Sequence, residues 1–167
     1  FIANDSKKFS IRSGQSKFSL SCLPKEDFPL IEIEKLNCEF SLNSNTFLKL
    51  IEKTRFAISN EATRYFLNGI YFHKKILNNL DYLSLVATDG HRLAKIDLPH
   101  PNGLVDLPGV IIPKKTIYEL SKLLADINED ITINVDPNKI IFYLGKTILI
   151  SKLIDGNFPD YQRVIPK

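Results

Sequence analysis

The chain has 167 residues, of which 44% are apolar and 25% charged, and its formal charge is +3. This length supports a domain with a buried core, and no apolar run reaches the about 20 residues of a membrane helix. The small net charge does not by itself indicate a nucleic-acid partner, so such a role would depend on where positive charges lie. Cys22 and Cys38 lack metal-ligand spacing and are expected to be free thiols in a reducing compartment.

The start of the chain is expected to be the end of an incomplete domain. Phe1 is not a methionine and the chain contains none, which indicates an internal piece of a longer protein. Residues 1–22 alternate polar and apolar side chains around a turn at Ser13–Gly14, which predicts paired strands that are not stable alone. Residues 24–29 predict a linker, because prolines flank two acidic residues, and a new domain is expected near Asn37.

Two later segments have apolar side chains at helical spacing. Asn43, Ser44 and Asn45 are candidate caps of the first helix. Its expected buried stripe is Phe47, Leu50, Ile51 and Ile58, and Arg55 is expected to point elsewhere on the same helix. The second helix begins either at a capping box of Thr116 and Glu119 or at Pro113. Its expected stripe is Ile117, Leu120, Leu123, Leu124 and Ile127.

Segments of period two surround both helices. Strands are predicted at 38–42, 69–75, 83–88, 92–98, 110–112, 131–135, 139–144 and 146–153. The turn at Gly145 lies between two strands, so the Gly-Lys-Thr at 145–147 is a hairpin and not a phosphate-binding loop. The order is β-α-β-β-β followed by β-α-β-β-β, an internal duplication. Mostly antiparallel strands on two helices predict an α+β fold.

Four segments resemble signature blocks of the bacterial DNA sliding clamp, the beta subunit of DNA polymerase III. They are SLSCLPKEDFP at 19–29, RYFLNGIYF at 64–72, VATDGHRLA at 86–94 and LIDGNFPDYQRVIP at 153–166. They occur in the family's order and at about its spacing. The resemblance implies the DNA-clamp fold, with residues 1–36 as the remnant of clamp domain one plus linker and residues 37–167 as clamp domain two. By the same resemblance, domain three is expected to lie outside this sequence.

The function implied by this resemblance is mechanical and non-catalytic. A head-to-tail homodimer ring would encircle double-stranded DNA without reading sequence, with helices lining the hole and sheets outside. The implied partners are the polymerase III alpha subunit, the clamp loader and other proteins with a clamp-binding motif. No cofactor, metal or membrane is expected, and the implied location is cytoplasmic.

Positive side chains on the helices are the first candidate site, because loose contacts to phosphate permit sliding. The candidates are Lys49 and Lys53 on the first helix and Lys114, Lys115 and Lys122 on the second. The alternative is that these are ordinary solvated helix charges. By resemblance, Arg64 and Tyr65 lie in a loop that reaches DNA, where Tyr65 could stack on a base. Alternatively, Tyr65 is a half-buried aromatic at the start of a strand.

A peptide-binding pocket is the second candidate site, and it is implied by the resemblance. Its residues would be Leu67, Thr88, Gly90, His91, Arg92, Leu93, Pro159, Arg163 and Val164. The apolar members would form the wall for the apolar anchors of an extended partner peptide. Gly90 permits a tight turn with positive φ. The alternative is that 88–90 is only a turn and that Leu67 and Leu93 belong to the core.

Two other functions remain open from the residues alone. One is a nucleotide-handling or phosphoryl-transfer domain that uses Asp89, His91 and Arg92. No second His or Cys stands at ligand spacing to His91, and Asp89, Asp155 and Asp160 each neighbour Gly or Pro, which favours turn chemistry. The other is a structural interaction domain that never contacts DNA.

Overall fold

The structure is a computed structural model that describes residues 2–5, 8–29, 38–99, 101, 103–104 and 106–166. The chain divides into two compact units, Phe1–Glu34 and Lys35–Lys167. The domain boundary predicted after residue 36 lies outside the described residues. Cys22 is exposed, Cys38 is buried, and both are free thiols as predicted. None of the described helices combines the length and apolar character needed to cross a bilayer.

The first unit contains a three-stranded antiparallel sheet. Its strands, in the order β1-β2-β3, are β1 (Ile2–Asp5), β2 (Lys8–Ser13) and β3 (Ser16–Ser21). The turn between β2 and β3 is at Gly14 and Gln15, one residue later than predicted, and Gly14 has a φ of 57°. A short 3-10 turn, Lys25–Asp27, interrupts the segment that was predicted to be a linker.

In its described residues, the second unit has two helices and eight strands in the predicted order, β-α-β-β-β twice, which confirms the α+β fold. The first repeat is β4 (Cys38–Asn43), α1 (Ser44–Glu52), β5 (Gly69–Leu77), β6 (Leu80–Thr88) and β7 (Leu93–Pro99). The second is β8 (Val110–Pro113), α2 (Lys114–Ala125), β9 (Asp130–Val135), β10 (Lys139–Leu144) and β11 (Thr147–Lys152). Asn78 and Asn79, with φ of 51° and 60°, form the tight turn between β5 and β6.

The two repeats exchange their first strands. One sheet has the order β11-β10-β9-β4 and the other β7-β6-β5-β8. Thus β4 completes the sheet of the second repeat, and β8 completes the sheet of the first. Neither repeat can complete a sheet without the other, so the duplicated unit folds as one body.

The core lies between the helices and the inner faces of both sheets. The Phe47 ring of α1 lies 6.0 Å from Phe72 of β5 and 6.0 Å from Phe142 of β10. From α2, Ile117, Leu120 and Leu124 are fully buried. Each helix therefore buries one face, as the apolar spacing predicted, and exposes its other face to solvent.

Both helices end earlier than their predicted stripes. Helix α1 ends at Glu52, Lys53 is its C-cap, and Ile58 is buried beyond a 3-10 turn formed by Arg55–Ala57. The Thr54 N–H donates to Ile51 O at 3.1 Å, three residues earlier and not four, so the α-helical bonding has ended, and the Thr54 hydroxyl donates to Leu50 O at 2.9 Å. The prediction that Lys53, Arg55 and Ile58 lie within α1 was therefore wrong.

The start of α2 follows the second of the two predicted alternatives. The helix begins directly after Pro113, and no side chain caps it. The Thr116 hydroxyl instead hydrogen-bonds Ser151 Oγ at 2.6 Å, so it does not act in a capping box. Ile127 lies beyond the helix, where its N–H donates to Leu124 O at 3.2 Å.

Candidate functional site

The outer face of one sheet carries the segment 155–166, here called the strap. Because strand side chains alternate, Ile70 and Phe72 of β5 face the core while Tyr71 and His73 face the opposite side. Phe158 of the strap stacks on Tyr71 with ring centres 4.9 Å apart. Ile154, which directly precedes the strap, donates its N–H to Ile111 O at 3.0 Å.

The strap is fixed a second time by a buried hydrogen bond. Tyr161 is 6% exposed, and its hydroxyl lies 3.0 Å from Nε2 of His73. Burial lowers the pKa of His73 and raises the pKa of Tyr161. Both shifts favour the neutral forms, so the pair is uncharged at neutral pH and costs little to bury.

A cavity of about 480 Å³ lies between the strap, the loop before β5 and the turn between β6 and β7. Its lining residues are Arg64, Phe66, Leu67, Thr88, Gly90, His91, Arg92, Leu93, Pro159, Asp160, Tyr161 and Val164. Eight of the nine residues predicted for the pocket are in this set. The ninth, Arg163, does not line the cavity, and its Nε donates to Asp160 Oδ2 at 2.8 Å.

Four lining residues were not predicted as pocket residues. Phe66 and Tyr161 belong to the quoted sequence blocks. Both lie in short 3-10 turns, which have no sequence periodicity that would show which side chains point into the cavity. Asp160 accepts from Gln162 N at 3.2 Å and so caps the last turn of the strap. Arg64 was assigned to DNA on resemblance alone, and the structure places it in the cavity wall.

The turn between β6 and β7 is held by its own side chains. Thr88 Oγ1 donates to Arg92 O at 2.7 Å and accepts from Gly90 N at 3.1 Å. Asp89 Oδ1 accepts from the N–H groups of His91 and Arg92, each at 3.0 Å. These two N–H groups, with the Arg92 guanidinium, lower the pKa of Asp89 to about 2. Gly90 has a φ of 91°, as the need for a tight turn predicted.

This turn chemistry argues against Asp89 as a general base. Its carboxylate already accepts two backbone N–H groups and Arg92 Nε at 3.0 Å. A carboxylate held in this way binds protons poorly. Over the described ranges, no group of three His, Cys, Asp or Glu side chains is arranged to hold a metal ion.

Arg64 connects the loop before β5 to this turn. Its Nε donates to Glu61 Oε2 at 2.8 Å, and its Nη2 donates to Asp89 O at 3.2 Å. A Cβ atom added to Gly90 would lie 2.5 Å from Arg64 Nη1. Glycine at position 90 therefore allows the guanidinium to approach the turn, which closes this side of the cavity.

The predicted DNA-contacting residues have different surroundings. Lys49, Lys53 and Lys115 are exposed, and none of the three forms an ion pair within the described part of the chain. Lys114 donates to Asn60 Oδ1, and Lys122 pairs with Glu119 at 3.0 Å. Tyr65 is 53% exposed and lies edge-on to Phe66, with ring centres 5.8 Å apart.

Comparison with solved structures gives the class of protein that has this architecture. The crystal structure of a DNA sliding clamp (DNA polymerase III subunit beta) from Bartonella birtlesii, bound to griselimycin, matches with a TM-score of 0.89 and 51% identity. The match covers 95% of this chain and 43% of that chain. The fold is that of the DNA sliding clamps.

Sequence comparison is more specific. Residues 41–160 match the family described as DNA polymerase III beta subunit, central domain. The beta sliding clamp of Caulobacter vibrioides is 46% identical over 166 residues, and that of Escherichia coli K12 is 39% identical over 163. These matches cover 99% and 98% of this chain but only 45% and 43% of the two relatives. The chain belongs to the DNA polymerase III beta subunit family, and it spans less than half the length of these relatives.

Proposed function

We propose that the chain is part of a DNA sliding clamp, a non-catalytic processivity factor that encircles duplex DNA. The observation that carries this proposal is the duplicated clamp unit, in which three separate segments form a cavity on the sheet face opposite the core. Residues 37–167 would be the second of three clamp domains, and residues 1–36 the end of the first plus a linker. The ring, a head-to-tail homodimer, would be completed by parts of the longer protein.

The cavity has the properties of a peptide-binding pocket. Its volume of about 480 Å³ lies within the range of ligand sites. Leu67, Leu93, Pro159 and Val164 supply apolar wall, and Arg92 stands at the rim with its charged head paired to Asp89. Apolar anchors of an extended peptide would gain from burial there. The proposed occupants are clamp-binding motifs of the polymerase III alpha subunit, the clamp loader and similar partners.

The exposed helix faces have the charge needed to hold DNA loosely. Lys114 and Lys115 occupy the first turn of α2, which contains no acidic residue. Positive charge at a helix N-terminus is unfavourable by about 0.3–1 kcal/mol per residue. The charge of Lys115 therefore opposes the stability of α2, whereas a DNA backbone would gain from both lysines. Lys49, Lys53 and Lys122 would add to the same sequence-independent attraction.

Replacing Lys115 with glutamate is expected to increase the stability of the chain and to weaken its binding to DNA. The K115E variant should be more stable to urea by about 0.3–1 kcal/mol, because a negative charge then faces the positive end of α2. Its affinity for duplex DNA at low salt should fall. The control is K146E, which makes the same charge change in the exposed turn before β11. A K115E variant that is destabilised, or that binds DNA as K146E does, would contradict this prediction.

The experiment that tests the proposed function compares circular and linear DNA. The full-length protein that contains this chain should be loaded on closed circular duplex, challenged with high salt and then treated with a nuclease that linearises the circle. A topologically linked ring resists salt on the circle, because screening weakens only the charge contacts, and slides off once ends are present. Equal loss from both forms would reject the sliding-clamp proposal.

A further inference from the structure

Four aromatic rings hold the strap against the outer face of the sheet. Phe158 of the strap stacks on Tyr71, and Tyr71 stacks on His73 with ring centres 4.5 Å apart. The ring of Tyr161, also from the strap, has its centre 5.7 Å from that of His73. Among the described residues, 155–166 form no backbone hydrogen bond to the sheet, so side chains hold the strap there. The position of the strap therefore depends on the directional bond between His73 and Tyr161.

The hydrogen-bond partners of His73 determine which ring nitrogen carries the proton. Nδ1 lies 2.9 Å from Lys74 O, and a carbonyl oxygen can only accept, so Nδ1 is the protonated nitrogen. In a neutral ring Nε2 is then an acceptor, and the Tyr161 hydroxyl donates to it at 3.0 Å. A proton added to Nε2 converts this acceptor into a donor, so the bond as it stands is lost.

The strap is a shared wall of two cavities. Pro159, Asp160 and Tyr161 line the proposed peptide pocket and also a second cavity of about 370 Å³. His73 lines the second cavity and not the peptide pocket. A substitution of His73 can therefore act on the peptide pocket only through the strap.

The surroundings of His73 do not favour its charged form. Besides Tyr161, the titratable groups around it come from β5, β7 and the strap: Tyr71, Lys74, Lys75, Lys95, Asp97 and Asp160. Asp97 already accepts from Ser84 Oγ at 2.5 Å and pairs with Lys95. Burial is the main reason that the pKa of His73 lies below its ordinary value of 6.5. The bond from Tyr161 to Nε2 is therefore intact at neutral pH.

We propose that His73 is a positioning residue of the peptide pocket, which holds Tyr161, and through it the strap, where Pro159 and Val164 form apolar wall. The inference rests on the proposed function and deepens it, because it adds a residue outside the lining that controls peptide affinity. Only molecules with the strap in place bind the peptide, so loosening the strap lowers the apparent affinity in proportion. Protonation of His73 has the same effect as loss of its side chain.

Substitution of His73 is expected to weaken peptide binding without changing a lining residue. His73→Leu leaves the Tyr161 hydroxyl without its acceptor and should lower the affinity of the 167-residue chain about two- to tenfold, the range of one net hydrogen bond. His73→Gln keeps an acceptor oxygen and should restore most of the affinity at neutral pH. Calorimetric titration with a peptide that carries glutamine and leucine–phenylalanine anchors measures both.

The pH profile separates this role from simple packing. With a peptide that has blocked ends and no titratable side chain, the affinity of the parent chain should fall as the pH is lowered from about 7.5 to about 5. The neutral, accepting ring is fully present above 6.5 and is lost as the pH falls through the lowered pKa of His73. The profile of His73→Gln should be flatter. His91 is present in both proteins, so the ratio of their affinities isolates His73, and a ratio independent of pH would overturn the proposal.

Two further measurements address the bond itself. Tyr161→Phe removes only the hydroxyl. The double variant His73→Leu/Tyr161→Phe should bind no more weakly than the weaker of the two single variants, because both remove the same contact. In a long-range proton–nitrogen NMR spectrum at neutral pH, His73 should be protonated at Nδ1. Fully additive losses in the double variant, or a neutral ring protonated at Nε2, would overturn the assignment.

Val135→Ala is the control for a general loss of stability. Val135 is fully buried on β9, in the sheet that does not carry the strap. This variant should have a lower urea midpoint than the parent chain and bind the peptide equally well. If it binds as weakly as His73→Leu at a similar urea midpoint, stability alone explains the effect and His73 has no positioning role.

The failure of this inference is distinct from failure of the pocket and of the clamp. If Val164→Glu weakens peptide binding and His73→Leu does not, the pocket stands and the role of His73 is overturned. If the parent chain does not bind the peptide, both the pocket and this role fail. The sliding-clamp proposal fails on a different result, equal loss of the full-length protein from circular and linear DNA.

Discussion

Replacing Val164 with glutamate is expected to weaken binding of a clamp-motif peptide at least about tenfold, a change of about 1.4 kcal/mol. The peptide would carry glutamine and leucine–phenylalanine anchors, and binding would be measured by calorimetric titration of the chain. Val164 lines the cavity and is 69% exposed in the free chain. A carboxylate there would be desolvated when an apolar anchor covers it, which opposes binding.

Because Val164 is exposed, its substitution should affect peptide binding with little loss of stability, unlike a substitution of Leu67. Leu67 is 3% exposed, so Leu67→Ala is expected to cost about 2–5 kcal/mol of stability as well as pocket wall. Ile148→Glu is the matched control, because Ile148 is 48% exposed on β11 and is not a lining residue. Arg163→Ala should have little effect, since the Arg163 side chain is 84% exposed and outside the lining. If V164E binds the peptide with unchanged affinity, this cavity is not the peptide-binding pocket.

Gly69→Ala is expected to have the largest effect on stability, a loss of at least about 3 kcal/mol. A Cβ atom at position 69 would lie 2.2 Å from the backbone oxygen of Ile112. The obstacle is backbone in the neighbouring strand β8, so no rotamer change relieves it. The pairing of β5 with β8 would have to open, and that pairing is where the second repeat completes the sheet of the first.

The same substitution at Gly145 provides the comparison for Gly69. Gly145 has a φ of 57°, and an added Cβ atom would meet only Glu129 Oε1, at 2.9 Å. Because that oxygen ends a flexible side chain, Gly145→Ala should cost only the strain of a left-handed residue, about 1–2 kcal/mol. Urea unfolding followed by circular dichroism measures both. If Gly69→Ala loses no more stability than Gly145→Ala, the close approach of β5 to β8 is not a constraint.

The strap shows why part of the candidate site was predictable and part was not. The quoted blocks at 64–72, 86–94 and 153–166 contain all of the lining residues, so resemblance was sufficient to select the segments. The direction of individual side chains in irregular segments has no sequence period. Arg163 was therefore placed in the pocket although it lies outside the lining, while its neighbour Tyr161 turns inward to bond His73. No local pattern distinguishes the two.

The helices also have features that the sequence predicted and features that it did not. Apolar spacing correctly predicted that Phe47, Leu50 and Ile51 are buried, because a 3.6-residue period leaves few alternatives. It also predicted correctly that Ile58 is buried, but Ile58 lies beyond the end of α1, directly after the 3-10 turn Arg55–Ala57. A buried side chain at the correct spacing does not by itself show that the helix continues. For the same reason, Arg55 was expected within α1, whereas it lies in the 3-10 turn with its guanidinium carbon 5.3 Å from the centre of the Tyr118 ring.

By itself, the sequence determined the order of the elements, the duplication and the α+β class, since these depend on periodicity and turn chemistry within short segments. Asn78–Asn79, Gly90 and Gly145 illustrate this, because positive φ restricts which residues can turn. Only the tertiary structure decided that β4 and β8 exchange between the repeats, that the strap covers Tyr71 and His73, and that Arg55 meets Tyr118. These features depend on contacts between segments that are distant in sequence. The free energy of such a contact depends on both segments together, so neither segment alone has a sequence pattern that predicts it.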